Sequence, residues 1–451
     1  MGTNFRPLDR DTLLLLPPSL HDWLPANHLA RFISDIVAKL DLRAIRSEYR
    51  GSGTAAYQPE MLLALLCYGY ATGVFSSRKL ERATYESVAF RFLTADQHPE
   101  HDTIATFRRR FLAHLTPIFE QVLSIAAESG VLKIGRVSLD GTKMKANASK
   151  HHALSYQHAQ DLKRQIQAEV QQLLRRAEQA DREDDDDGLD LPKELARRED
   201  RLRVIDDALK RIKDREQERV DVEQAEYQEK LSTYKVKEKQ KKARGKKPVR
   251  PSKKINPKAQ INLTDEESRI MPVSGGGFIQ GYNAQNVVDC ESRLLVSTFV
   301  SQSANDMSLL PKSIDQLMAL PESFGRPTEL LADAGYFSER NLTACEKSGI
   351  TPYISDRRER HGLRLRDMAE PKPLALDAPI KDRARHRLRT RSGRAIYGLR
   401  KSTIEPIFGI IKAAMGFRDF LLRGIEKVTG EWKLVSLAYN MRRLQVLQAT
   451  I

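Results

Sequence analysis

The sequence predicts an α/β protein: an all-helical N-terminal region, then a mixed sheet flanked by helices, with a helical hairpin inserted into it. Three patterns support this fold class. Apolar residues recur at helical spacing in the first part of the chain, and short β-branched runs later alternate with helical segments. Two charged segments, each with an apolar stripe at helical spacing, interrupt the strand-forming part. The expected parts are a helical N-terminal domain at 1–130, an α/β domain at 131–154 and 256–420, an inserted hairpin with a basic linker at 155–255, and a C-terminal helical extension at 421–451.

The N-terminal region ends in a basic helix. In HDTIATFRRRFLAHL, Asp102 or Thr103 is a suitable N-cap, and Arg108, Arg109 and Arg110 follow within the helix. A basic helix after a turn suits a helix-turn-helix variant that binds DNA. A helical bundle with a solvated arginine face fits the same pattern, so the sequence alone leaves both interpretations open.

The charge and the cysteines limit the class of protein. A formal net charge of +15 over 451 residues favours a polyanionic partner, of which nucleic acid is the commonest. The 3 cysteines lie far apart, which argues against a disulfide framework and against a cysteine-based zinc site. Because no apolar run approaches the length of a membrane span, we expect a soluble, cytoplasmic protein without a membrane partner.

The basic linker that follows the hairpin helices is a second candidate DNA contact. Residues 235–254 are rich in lysine and arginine and poor in apolar residues. This composition predicts a segment that is disordered when free and that contacts the phosphate backbone without reading sequence. A solubilising linker is the alternative.

Three acidic residues stand where an α/β sheet would present them. The run IGRVSLD predicts a strand that delivers Asp140 to its C-terminal edge, TELLAD predicts a strand ending at Asp333, and the helix KSTIEPIFGIIKAAMGF carries Glu405. Converging carboxylates are the oxygen ligands that two Mg²⁺ ions need for phosphodiester chemistry. Spacing alone does not single out these three among 60 acidic residues. The Arg-rich stretch 356–394 is expected to be irregular.

Longer motifs around these acids carry a resemblance to a known family. They are VSLDGTKMKANAS, LLADAGYFS and YGLRKSTIEPIFGIIK, with GYNAQNVVD and GEWKLVSLAYNMRRL as further matching segments. The sequence resembles the DDE transposases of bacterial insertion sequences, in the branch whose third motif reads Y-R-E-K. The resemblance implies an RNase H-like fold for the α/β domain.

The resemblance also implies the site residues. Asp140, Asp333 and Glu405 would be catalytic and would bind two Mg²⁺ ions, with Mn²⁺ as an expected substitute. Water and then a DNA 3′-hydroxyl would attack, without a covalent nucleophile. DNA contacts would come from Tyr397, Arg400, Lys401 and Lys412. The family spacing places three residues between Arg and Glu, whereas four separate Arg400 from Glu405, so either Arg400 or Lys401 fills the Arg position.

The partners implied are the terminal inverted repeats and the target DNA, bound by a homo-oligomer on paired ends in the nucleoid of a bacterial cytoplasm. Two other functions remain open at this point. One is an RNase H-like nuclease that cuts without joining strands, and the other is a catalytically silent DNA-binding protein derived from a transposase.

Overall fold

A computed structural model describes residues 19–49, 56–183, 191–239, 247–273, 275–356, 370–375 and 377–448. The chain forms two compact units, one made of Met1–Met144 with Asn283–Ile451 and the other of Lys145–Tyr282. The second unit contains the helical hairpin that we expected at 155–255, and it extends beyond that range on both sides. The expected disorder of the basic linker is wrong for residues 235–239, which form the end of a long helix, and residues 240–246 lie outside the described residues.

The N-terminal part of the first unit is helical, as the apolar spacing predicts. Its central helix begins with Pro59 in the first turn and ends at Gly73, whose φ of 86° is in the left-handed region that glycine adopts without strain. The helix is buried along most of its length. The helices of this part are α1 (Leu20–Trp23), α2 (Leu29–Ala38), α3 (Arg43–Ser47), α4 (Pro59–Thr72), α5 (Ser77–Glu86), α6 (Val88–Leu93), α7 (His101–Arg110) and α8 (Leu115–Glu128).

A mixed sheet forms the other layer of the first unit. Its strand order is β6-β5-β1-β7-β8, with β1 parallel to β7, β7 parallel to β8, and β5 antiparallel to β6. Apolar runs such as Leu330–Ala332 are fully buried, as expected for strands covered on both faces. The strands are β1 (Ile134–Lys145), β5 (Phe278–Asp289), β6 (Leu295–Ser301), β7 (Gly325–Ala332) and β8 (Thr351–Ile354).

Helices cover this sheet. The C-terminal helix is buried through most of its middle part: its Trp432 donates to Asn286 Oδ1 on β5 at 3.0 Å, and its Glu431 accepts from Tyr70 of α4 at 3.0 Å. The Arg-rich stretch 356–394 is not irregular throughout, because Ala384 and Leu388 give it a short buried stripe. The helices are α11 (Leu310–Met318), α12 (Glu339–Lys347), α13 (Ile380–Arg389), α14 (Arg391–Gly409), which continues into a π-helical turn at Ile410–Ala414, and α15 (Ile425–Gln448).

The second unit is built around two long helices. A core that includes Ile166, Ile205, Leu209 and Ile212 joins them, which confirms the apolar stripes read from the sequence. Among the helices described, none is both long and apolar enough to cross a bilayer. The elements of this unit are β2 (Ala153–Ser155), α9 (Tyr156–Glu183), α10 (Leu191–Lys239), β3 (Gln260–Asn262) and β4 (Arg269–Pro272), with β2 antiparallel to β3 and β4 antiparallel to the start of β5.

Candidate active site

The register of two parallel strands brings Asp140 and Asp333 together. Leu139 of β1 pairs with Ala332 of β7, and each aspartate is the next residue on its strand. Residues at the same level of neighbouring parallel strands point to the same face, about 5 Å apart. Asp333 follows the last residue of β7, as we expected. Asp140 does not end its strand, because β1 continues to Lys145 and pairs there with β5.

A third aspartate, which the sequence reading did not single out, joins them. Asp306 lies in the loop between β6 and α11, and its Oδ1 accepts from Asn283 at 2.6 Å, from Gln285 at 2.9 Å and from Lys143 Nζ at 3.1 Å. Asp140, Asp306 and Asp333 are called the carboxylate cluster below. The local sequence signal for Asp306 is a polar residue just before a helix, and such residues are too common to indicate a functional site.

Glycine at position 141 allows this arrangement. A Cβ atom there would collide with the Gln285 side chain, so only glycine lets β5 present its amide groups to Asp306. Tyr336 holds the same Gln285 from the other side by donating to its Oε1 at 2.5 Å. Gln285 is therefore fixed at both ends of its amide.

Helix α14 contributes Glu405 through an arginine. Arg400 donates to Asp140 Oδ2 at 3.1 Å and to Glu405 Oε1 at 2.7 Å, and its side chain is 14% exposed. Its Nε is buried and has no hydrogen-bond partner among the described residues. Lys401, the other candidate for the Arg position, is exposed. Lys412, on the π-helical turn, donates to Thr142 Oγ1 at 2.5 Å.

Burial and mutual repulsion shape the charges of the carboxylate cluster. Burial, the neighbouring Asp333 and, more weakly, Asp306 raise the pKa of Asp140 to about 7, although Arg400 and the Gly141 N–H act against this shift. Burial also raises the pKa of Asp333, which accepts from Gly335 N at 2.9 Å. Both aspartates therefore carry their negative charge at an energetic cost, which a nearby cation would reduce.

The three acids expected from the sequence do not all lie next to one another. Asp140 and Asp333 are adjacent, whereas Glu405 is joined to Asp140 through Arg400 and its side chain is 47% exposed. Within the described parts of the chain, no group of three acidic, histidine or cysteine side chains converges on a point where one ion would bind. Arg400 is the counter-ion of both Asp140 and Glu405.

Two of the residues that we expected to contact DNA make contacts inside the first unit. Tyr397 is 3% exposed and packs with Leu331, Tyr353 and Leu388. Arg108 faces inward and donates to the hydroxyl of Tyr70 and to the carbonyl of Phe75, at 3.2 and 2.9 Å. Arg108 lies four residues after the buried Ile104, so both side chains lie on the same, inner face of α7.

The other two arginines of α7 are exposed. Arg110 pairs with Glu48 at 2.9 Å and lies over the ring of Tyr49, whereas Arg109 contacts only its neighbour Thr106, at 3.4 Å, among the described residues.

Comparison with known proteins gives two family matches. Residues 264–441 match the family described as "Transposase DDE domain", and residues 18–110 match the one described as "Transposase domain (DUF772)". The first match includes Asp333 and Glu405 but begins after Asp140, which lies before the inserted unit. No curated protein and no solved structure matches the chain. Two segments of the chain are therefore similar to transposase domains.

Proposed function

We propose that this chain, whose two matched domains are both transposase domains, is a DDE transposase that cleaves DNA at the ends of an insertion sequence and joins them to target DNA. The observation that carries the proposal is the pairing of β1 with β7. It sets Asp140 beside Asp333, and α14 adds Glu405 through Arg400. We propose these three acids as the catalytic residues, in an RNase H-like fold.

The donor set fits a divalent cation. Two adjacent, half-buried carboxylates offer hard oxygen ligands, and burial together with the neighbouring Asp333 raises the pKa of Asp140. Asp140, Asp333 and Glu405 would hold Mg²⁺ or Mn²⁺. When bound, such ions activate the attacking oxygen and stabilise the leaving oxygen of the phosphodiester.

The basic side chains of the site suit the substrate. The guanidinium of Arg400 bridges Asp140 and Glu405 and so fixes their orientation. These contacts favour Arg400 over Lys401 as the arginine of a Y-R-E-K motif. Lys412 is held half-buried against Thr142 of β1, and burial lowers its pKa. We infer that Lys412 contacts the scissile phosphate or DNA next to it.

Binding of long DNA calls for surfaces outside this site. Arg109 and Arg110 of α7 and the basic linker 235–254 are the proposed contacts with the phosphate backbone, since each is rich in positive charge. We further propose that the protein binds terminal inverted repeats as a homo-oligomer on paired ends.

The test is a cleavage and strand-transfer assay with Mg²⁺ on DNA that carries the native flanks of the coding region. We expect cutting at the element end and a joined product, both lost in Asp333→Ala. Asp315→Asn is the matched control, because Asp315 is an exposed carboxylate on α11 outside the carboxylate cluster.

The other outcomes contradict the proposal in different ways. Metal-dependent cutting without a joined product would indicate an RNase H-like nuclease. Specific end binding by folded protein without any cutting would indicate a silent DNA-binding protein. Cutting that persists in Asp333→Ala would remove this residue from the mechanism.

A further inference from the structure

The inserted unit Lys145–Tyr282 contains a cavity of about 230 Å³ with two arginines in its wall. Arg215 comes from α10, and Arg269 is the first residue of β4. Lys258 and Ser268 add further donors to the wall. The space enclosed by these residues is called the arginine cavity below.

Backbone carbonyl groups hold both guanidinium groups in place. Arg215 Nη2 donates to the carbonyl oxygen of Gln260. Arg269 Nη1 donates to the carbonyl oxygens of Glu266 and Ser268, at 2.8 and 2.9 Å. A guanidinium has five N–H donors, so each arginine keeps donors that these bonds do not use. The cavity is therefore pre-organised and not merely lined by mobile surface charges.

Carboxylates do not neutralise these arginines directly. Neither side chain forms an ion pair with an acidic residue in the part of the chain that the structure describes. Glu216, the acid of the cavity wall, is already engaged by Arg219 at 3.0 Å and by the backbone N–H of Asn256 at 3.1 Å. Three basic side chains, Arg215, Lys258 and Arg269, thus line the cavity together with one acidic side chain, Glu216.

Burial of the two arginines has an energetic cost. Burial, together with the nearby charge of Arg215, lowers the pKa of Arg269 to about 10, although Tyr282, Glu267 and Asp265 act against this shift. Burial also lowers the pKa of Arg215, and Glu216 acts against that shift. An anion between the two guanidinium groups would offset both the repulsion and the lost hydration.

We infer that the arginine cavity binds a phosphate group of the DNA backbone. The inference rests on the proposed function, which supplies DNA as the partner. The planar fork of arginine matches two phosphate oxygens. The described wall holds no aromatic side chain on which a base would stack, so the contact would fix the position of the DNA without reading its sequence.

Glutamine variants test this contact with little damage to the fold. Arg215→Gln and Arg269→Gln remove the positive charge and keep a polar amide on a similar aliphatic stem. We expect each variant to weaken binding of double-stranded DNA by about tenfold. The slope of log affinity against log salt should also fall by about 1, because one phosphate contact is lost. Arg203→Gln, on an exposed turn of the same helix, is the matched control and should bind like wild type.

Inorganic phosphate is the second probe. Wild-type protein should gain thermal stability with added phosphate, and the two cavity variants should gain less. A phosphate-dependent gain together with unchanged DNA affinity would overturn the assignment to the DNA backbone. Unchanged affinity and salt slope in both variants, without any phosphate effect, would overturn the cavity as an anion site.

The two proposals fail separately. If wild-type protein cuts and joins its ends while Arg215→Gln and Arg269→Gln bind DNA normally, only the arginine cavity is refuted. If both variants lose DNA affinity in a protein that never cuts, the cavity stands and the catalytic function is refuted. Should Arg269→Gln not fold, by circular dichroism, Arg215→Gln on the long helix decides alone.

Discussion

The carboxylate cluster and the arginine cavity both hold partly buried charged side chains, but the charges have opposite signs. In the cluster, Asp140, Asp306 and Asp333 share two basic partners, Arg400 and Lys143, and negative charge is in excess. In the cavity, carbonyl groups anchor Arg215 and Arg269, and the wall carries three basic side chains and one acidic side chain. Each imbalance predicts the sign of its ligand, a divalent cation in one unit and a phosphate in the other. A concentration of like charge is therefore informative about function when hydrogen bonds hold its side chains in place.

The largest effect is expected from the cluster itself. Asp140→Asn removes one of two adjacent negative charges while keeping the shape of the side chain. We expect Mg²⁺-dependent cleavage to fall at least about a hundredfold, because a ligand oxygen is lost. Binding of end DNA should stay within about twofold, since basic residues supply that affinity.

Rate and affinity are measured on the same DNA, with Asp315→Asn as control. An Asp140→Asn protein that cleaves at the wild-type rate would contradict the proposal that Asp140 binds the divalent cation.

The counter-ion of the cluster comes next. Arg400→Gln should lower cleavage by about tenfold to a hundredfold, because Asp140 and Glu405 lose the donor that orients them. Lys401→Gln, one residue away and exposed, should change it less than about threefold. Single-turnover rates of the two variants compare them directly. A larger loss in Lys401→Gln would assign the Arg position of the motif to Lys401.

Asp306 distinguishes structural from catalytic negative charge. Asp306→Ala leaves Asn283, Gln285 and Lys143 without their acceptor and should destabilise the protein by about 2–4 kcal/mol. Asp306→Asn keeps an acceptor oxygen and should lose less stability. Urea denaturation gives both values. If neither variant is less stable than wild type, Asp306 does not hold this network together.

The smallest effect on DNA binding is expected from Tyr397. Tyr397→Phe keeps the buried ring, and we expect its affinity for end DNA to change less than about twofold. Tyr397→Ala should cost about 3–5 kcal/mol of stability through the cavity it leaves. Fluorescence anisotropy and urea denaturation measure the two. A large loss of affinity in a stable Tyr397→Phe protein would restore its hydroxyl as a DNA contact.

The sequence predicted which strands and helix carry the site better than it predicted where the acidic side chains lie relative to one another. Asp333 was expected at a strand end because an apolar run stops there. Asp140 was assigned to an edge as well, since a sequence does not reveal that β1 continues along β5 beyond its parallel partner. Helix α13 was missed because charge hides its short apolar stripe, Ala384 and Leu388. Asp306 depends on contacts with residues more than 20 positions away in the chain, which no local pattern encodes.

Mapping where the divalent cation binds is the most direct test of whether the carboxylate cluster is a cation site. Fe²⁺ replacing Mg²⁺ in the presence of ascorbate and peroxide generates radicals that cut the polypeptide backbone near the bound ion. We expect fragments that end close to Asp140 on β1 and Asp333 on β7, and we expect them to be lost in the Asp140→Asn/Asp333→Asn double variant. Fragments that end elsewhere, or that persist unchanged in the double variant, would contradict the assignment of the cluster as a cation site.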